Sequence, residues 1–201
     1  MLALHHAPRS RSSSIVWMLE EIGEPYKIEL VSIMRGDGTG TPAPESYRAV
    51  HPHKKVPALV HEGTTVFECA GIAQYLGDAF PKAGLAPPIG DKHRGAYDTA
   101  LAYWAGVMNP VVTARLHGWD KNGPTGFGTF EDMEAYIADE VTAAKPWLMG
   151  ERFTTADILW GGALEFFAAM SLLPKRQAYD DYVARLAARP ARKRALERDN
   201  G

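Results

Sequence analysis

The stretch His51-Pro52-His53-Lys54-Lys55-Val56-Pro57-Ala58-Leu59-Val60 sets a basic, proline-broken segment directly against a short apolar run. A proline just before a strand admits two geometries, an ordinary trans turn or a cis Val56–Pro57 bond. The cis form would turn the Val56 N–H and C=O away from the sheet, free to pair with an extended peptide as an added strand would. Downstream, Ala58–His61 and Thr65–Phe67 read as strands joined by Glu62-Gly63, a hairpin-type turn. A helix opens at Glu68 and carries Ile72, Ala73 and Leu76 on one side.

Upstream, residues 2–6 alternate like a strand and stop at the breaker Ala7-Pro8. The block Ser10–Ser14 is rich in capping residues, and Ile15, Val16, Met18, Leu19 and Ile22 then follow a helical period that ends at Gly23. Tyr26–Val31 returns to a strand pattern, and a Gly/Thr/Pro-rich loop leads to a weak helix near Glu45–Val50. This order predicts a βαβ unit closed by an antiparallel hairpin, a mixed sheet with helices packed on it. Phe80 to Pro88 is a proline-bearing connector, after which strand signals stop. We therefore expect an α/β domain over 1–79, a linker over 80–92 and an all-helical domain over 93–201. Its helices are marked by Tyr97 to Val112, Met133 to Leu148, a buried stretch from Ile158 to Leu173, and Tyr179 to Ala188. Thr154 and Asp157 have the spacing of a reciprocal N-terminal cap, a folding device.

The chain has 201 residues, 46% of them apolar, which suffices for one large or two small cores. With 22 basic and 24 acidic residues the formal charge is -2, so bulk electrostatics favour neither nucleic acid nor anionic lipid, and a small molecule or a protein is the expected partner. Cys69 stands alone, which excludes an internal disulfide and a Cys-rich zinc site and suits a reducing compartment. No metal site is expected: His5 and His6 should point to opposite faces of a strand, and His51 and His53 lack a cluster of further ligands. Residues 1–9 lack a secretory pattern, and the 158–173 stretch carries Glu165 and two glycines, so we expect a cytoplasmic protein without a membrane span. The basic run from Arg189 to Arg194 reads as a solvated terminal helix complementing its own dipole.

Three motifs in fixed order resemble the cytosolic glutathione transferase superfamily over nearly the whole chain. They are the Val56-Pro57-Ala58-Leu59 stretch after its basic pair, Glu68-Cys69 before Ala70 to Leu76, and Gly150 to Ile158 around the Thr154/Asp157 cap. The resemblance implies a thioredoxin-like α/β N-terminal domain that binds glutathione, an all-α C-terminal domain, a homodimer, and no metal. It places Lys55, Val56, Pro57, Glu68 and Cys69 in the glutathione site. Glu68 would pair with the γ-glutamyl ammonium and the Cys69 N–H with its carboxylate, at a helix start rich in unpaired donors. The commoner residue after the acid is serine. A cysteine there is either a small buried side chain or, with its pKa lowered by the helix terminus, a reactive thiol.

A thiol of pKa about 8.5 is mostly protonated at neutral pH, so its activation means selective stabilisation of the thiolate. One hydrogen bond to the charged form contributes roughly 1.5 to 3 kcal/mol and a helix N-terminus about 0.3 to 2. By the resemblance Ser10 supplies that bond, with Ser12 as the alternative and a simple capping role for either serine also open. An apolar electrophile would be lined by Pro8, Tyr103, Trp104 and Met108, unless the last three are helix-packing residues. Three activities fit: conjugation or dehalogenation of an electrophile, glutathione-dependent disulfide reduction or isomerisation, and non-catalytic binding.

Overall fold

Alternation along Leu2–His6 puts Leu2, Leu4 and His6 on the buried face of a strand, β1, in the computed structural model, which describes residues 1–119 and 125–200. β1 pairs in parallel with β2 (Tyr26–Leu30), Leu4 opposite Ile28, and antiparallel with β3 (Ala58–His61), Leu4 opposite Leu59. β4 (Thr64–Phe67) closes a hairpin on β3, giving the strand order β2-β1-β3-β4. The turn between β3 and β4 is two residues, Glu62 and Gly63, with φ of 50° and 82°. Positive φ at both positions is what the twist of a tight hairpin requires.

The parallel β1–β2 pair needs a crossover, which α1 (Ser13–Ile22) provides while burying Ile15 to Leu19. It ends where expected, at Gly23, whose φ of 77° lets its N–H reach the Leu19 carbonyl at 3.0 Å. The weak helix is a short 3₁₀ turn over Glu45–Ala49, and α2 (Cys69–Ala79) lays Ile72, Ala73 and Leu76 on the core. The mixed sheet with helices anticipated from the sequence is the thioredoxin-like arrangement found.

The second compact unit, Gly84–Ala188, is helical among its described residues. α3 (Arg94–Tyr103) and α4 (Asn109–His117) continue one another through a π-helical turn, Trp104–Met108, within the single long helix expected there. α5 (Phe130–Ala143) stops short of Leu148 because Ala144 is extended and Pro146 follows. α6 (Thr155–Ala169) is the buried helix, and α7 (Gln177–Ala187) packs on it. The Asp157 carboxylate accepts the Thr154 N–H at 2.8 Å, the Thr154 hydroxyl at 2.9 Å, the Leu148 N–H at 2.9 Å and the Tyr182 hydroxyl at 2.8 Å. Burial pushes this carboxyl up from its ordinary pKa, and the four donors oppose that rise.

The sequence reading is corrected at the C-terminus. Residues from Arg189 on belong by contact to the first unit, with Met1–Ala83, whereas the boundaries drawn from the sequence placed them with the helical domain. α8 (Pro190–Asn200) lies along α1, and its basic residues are not simply solvated. Arg189 pairs with Glu21 at 2.6 Å, Arg194 and Arg198 each pair with Glu20 at 2.8 Å, and the Arg192 guanidinium sits 4.9 Å from the Trp17 ring centre. Burial alone would raise the Glu20 pKa, but the bonds from Arg194 and Tyr26 and the charge of Arg198 hold it below the ordinary value.

Replacing Asp157 with alanine strands several buried donors at once, so unfolding in urea should show a loss of about 3 kcal/mol or more. Asp157→Asn keeps part of the bonding and should lose less.

Candidate active site

Three features of the first unit meet at one end of its sheet. β1 ends at His6 and runs into the loop Ala7–Ser12, while β3 begins just after Val56–Pro57, which is cis. Beyond the paired His5 and Ala58, the next residues on the two strands are His6 and Pro57, so the serine loop and the proline bend leave the sheet side by side. The third feature, the start of α2, is tied to that loop by the Cys69 thiol, which donates to the Arg11 carbonyl at 3.7 Å. The Tyr47 hydroxyl donates to the Lys55 carbonyl at 3.0 Å and fixes the approach to the bend. Among the described residues, no hydrogen bond engages the Val56 backbone, which leaves its N–H and C=O open.

At the head of α2, Glu68 has φ of 66° and ψ of 127°. A side chain at positive φ of this kind costs about 1 to 3 kcal/mol and persists only where its surroundings impose it. Its carboxylate is exposed and makes no hydrogen bond or ion pair among the described residues, though its charge acts on His51. The first-turn N–H groups of α2 lack intrahelical acceptors, and no acidic side chain stands in that turn. Cys69 itself is 4% exposed, and burial pushes its thiol up to about 12 although the Arg11 charge pulls the other way. This corrects the reactive-thiol alternative: the sulfur anchors a loop, and the small buried side chain is the reading that holds.

The serine loop is a closed hydrogen-bond network. Ser12 is fully buried, and its Oγ lies 2.8 Å from His6 Nδ1, 2.7 Å from Ser10 Oγ, and 3.2 Å from both the N and the O of Ala7. Ser10 is partly exposed and accepts the Ser12 N–H at 3.1 Å. Behind His6 stands Asp199 of α8, with Oδ1 3.3 Å from His6 Nε2 but off the line of a good hydrogen bond. Asp199 also accepts the Arg9 N–H at 3.1 Å and the Ser13 hydroxyl. Burial holds the His6 pKa below its ordinary value, and the Asp199 charge opposes that shift. The Arg35 guanidinium donates to the Pro8 carbonyl at 2.8 Å and holds the outer loop. Neither His6 nor Asp199 emerged from the sequence as a site residue. The signal for His6 was its place as the third inward position after Leu2 and Leu4; none existed for Asp199.

In the second unit, Tyr103 is half-buried, its ring 4.5 Å from Tyr136 and 5.9 Å from Trp160. Met108 is fully buried, as helix packing requires. The Trp104 indole N–H is buried in the π-helical turn with no acceptor among the described residues. Pro8 is half-buried in the first unit. Among the described residues no group of three or more His, Cys, Asp or Glu is placed to hold a metal ion, and no helix is long and apolar enough to cross a membrane.

The family model described as glutathione S-transferase, N-terminal domain, matches residues 10–79. "Glutathione S-transferase 3" of Schizosaccharomyces pombe is 43% identical over 180 residues, covering 78% of this chain and 70% of that protein. "Glutathione S-transferase GstA" of Escherichia coli O157:H7 is 28% identical over 204 residues and 97% of each chain. A glutathione transferase homologue from Sulfitobacter, solved with bound glutathione, superposes with a TM-score of 0.76 at 23% identity over 98% of each chain.

With its pKa at about 12, Cys69 carries on the order of a thousandfold less thiolate near neutral pH than a free cysteine. Iodoacetamide should leave it unmodified in the native protein at mildly alkaline pH and alkylate it promptly in urea; rapid native labelling would contradict its anchoring role.

Proposed function

We infer that this chain, which belongs to the glutathione S-transferase family, binds glutathione in its first unit and activates the thiol for attack on an apolar electrophile. The observation that carries this reading is the meeting of three features: the open Val56 backbone, the donor-rich start of α2 beside the exposed Glu68 carboxylate, and the partly exposed Ser10 hydroxyl. The tripeptide is extended, and its cysteinyl backbone can pair with Val56 as an added strand would. Its γ-glutamyl carboxylate suits the amides at Cys69 and the dipole behind them, and its ammonium suits Glu68. Lys55 adds a cation beside the bend. The bound glutathione of the Sulfitobacter homologue supports the same ligand.

Ser10 is the residue we assign to the sulfur, in preference to Ser12, because Ser12 is fully buried and Ser10 is not. In the second unit Tyr103, half-buried, and Trp104, with its unpaired N–H, suit an aromatic ligand better than fully buried Met108; in the first unit Pro8 borders the serine loop. Disulfide reduction is the second reading. With Cys69 buried and no second cysteine, the glutathione sulfur would have to be its nucleophile. A cytoplasmic location and a two-fold homodimer belong to the same proposal, the latter checked by light scattering.

Calorimetry with glutathione, then assays with an aromatic halide and with a small disulfide, separates the readings: no heat leaves only a binding module of other specificity. Ser10→Ala should lower kcat/KM about ten- to hundredfold, the worth of one bond to a charged acceptor, with the glutathione Kd nearly unchanged. Glu68→Gln should instead weaken glutathione binding about tenfold, with a smaller change in kcat at saturation.

A further inference from the structure

The hydrogen-bond network behind Ser10 has a direction, set by how many protons each atom can give. With neutral His6 and ionised Asp199, the carboxylate charge 3.3 Å from Nε2 favours the ring proton there, although the two are not aligned as a hydrogen bond, and Nδ1 is left as an acceptor. Ser12 has one proton to give. Nδ1 at 2.8 Å is the nearer acceptor, the Ala7 carbonyl at 3.2 Å the weaker one. Ser12 Oγ then receives the Ala7 N–H at 3.2 Å and, at 2.7 Å, the Ser10 hydroxyl. Ser10 Oγ in turn receives the Ser12 N–H at 3.1 Å. The Ser10 proton therefore points inward, and what Ser10 offers an approaching thiol is a lone pair.

We propose that the proton lost by the bound glutathione thiol passes to His6, through Ser10 and Ser12, and that Asp199 holds the resulting imidazolium. The proposal rests on the glutathione reading given above. The thiol S–H breaks as its proton joins Ser10 Oγ; the Ser10 proton moves to Ser12 Oγ; the Ser12 proton moves to His6 Nδ1. No proton is gained or lost, and each hydrogen bond survives with its polarity reversed. The product state has the thiolate accepting from Ser10, Ser10 accepting from Ser12, Ser12 accepting from His6 Nδ1–H, and the imidazolium held by the charge of Asp199, 3.3 Å from Nε2 without an aligned hydrogen bond. His6 and Asp199 act through the two serines and are positioning residues. Among the described residues the charged side chain facing the ring is Asp199 of α8; Ser12 and the Ala7 backbone are neutral. Burial keeps His6 a neutral base until the thiol arrives, and the fully buried ring has no bulk water to which it would pass the proton.

A transfer held inside the protein is visible as a missing proton. In weakly buffered solution with an indicator dye, adding glutathione to the wild-type protein should form thiolate, read by ultraviolet difference absorbance, with clearly fewer protons released than thiolates formed. His6→Asn keeps a neutral partner for Ser12 but cannot take up a proton, so release should rise to about one per thiolate, with the bound thiol pKa higher by about one unit or more. Ser12→Ala interrupts the chain at a second point and should behave alike, which keeps the test open if the histidine variant folds poorly. Asp199→Asn should raise the bound thiol pKa in the same direction, while calorimetric glutathione affinity at about pH 6 stays within about twofold of wild type. One proton released per thiolate in the wild-type protein would overturn the relay and leave the transferase reading intact. Absence of any thiolate signal would remove both.

Discussion

A carboxylate taken out of water must collect donors, and Asp199 collects them from the segment that the site requires to be still. It is 5% exposed and binds the Arg9 amide through Oδ2 and the Ser13 hydroxyl through Oδ1, the oxygen that also lies 3.3 Å from the His6 ring. One side chain from the last helix thus braces the end of β1, the serine loop and the first turn of α1. Leaving such a group partly unsatisfied costs about 1 to 3 kcal/mol per lost partner, so loop and C-terminal helix hold each other in place. The ion pairs of Arg189, Arg194 and Arg198 with Glu21 and Glu20 align α8 so that Asp199 arrives at the right depth.

The helical unit repeats the device for a structural end. Asp157, in the first turn of α6, gathers four donors from α7 and the segment before α6, and Trp160, three residues on, donates its indole N–H to the Ala100 carbonyl at 2.9 Å. The contrast lies in what surrounds the carboxylate. Asp157 faces groups that do not titrate near neutral pH, whereas Asp199 faces an imidazole linked to a partly exposed hydroxyl. The first arrangement is a device of stability, while the second holds the groups of the proposed relay.

Around the serine loop the first unit keeps its polar backbone unspent. The bend at Pro57 leaves Val56 unpaired, and Glu68 is held at a φ that a side chain adopts reluctantly, with α2 presenting its first amides beyond it. Cys69 fits this setting through its size and its hold on Arg11, because a buried sulfur with a pKa near 12 contributes no nucleophile.

Patterns spanning a few residues were readable in the chain itself. Alternation gave β1, the Glu62-Gly63 pair gave the hairpin, Gly23 ended α1, and the Thr154/Asp157 spacing gave the cap of α6, because each depends on backbone dihedrals and neighbours within a turn or two. The motif around Pro57 and Glu68 marked, for the same reason, the bend before β3 and the start of α2. What the tertiary structure alone decided was which distant groups share a buried space: α8 lies on α1, Asp199 sits behind His6, and the Cys69 thiol is sealed against Arg11. A basic run near a C-terminus reads equally well as a solvated helix or as a latch. Only the position of Glu20 and Glu21 on a helix some 170 residues earlier selects between them. Local propensity acts over short sequence separations, while desolvation and hydrogen-bond satisfaction are settled by whatever packing brings within a few ångströms.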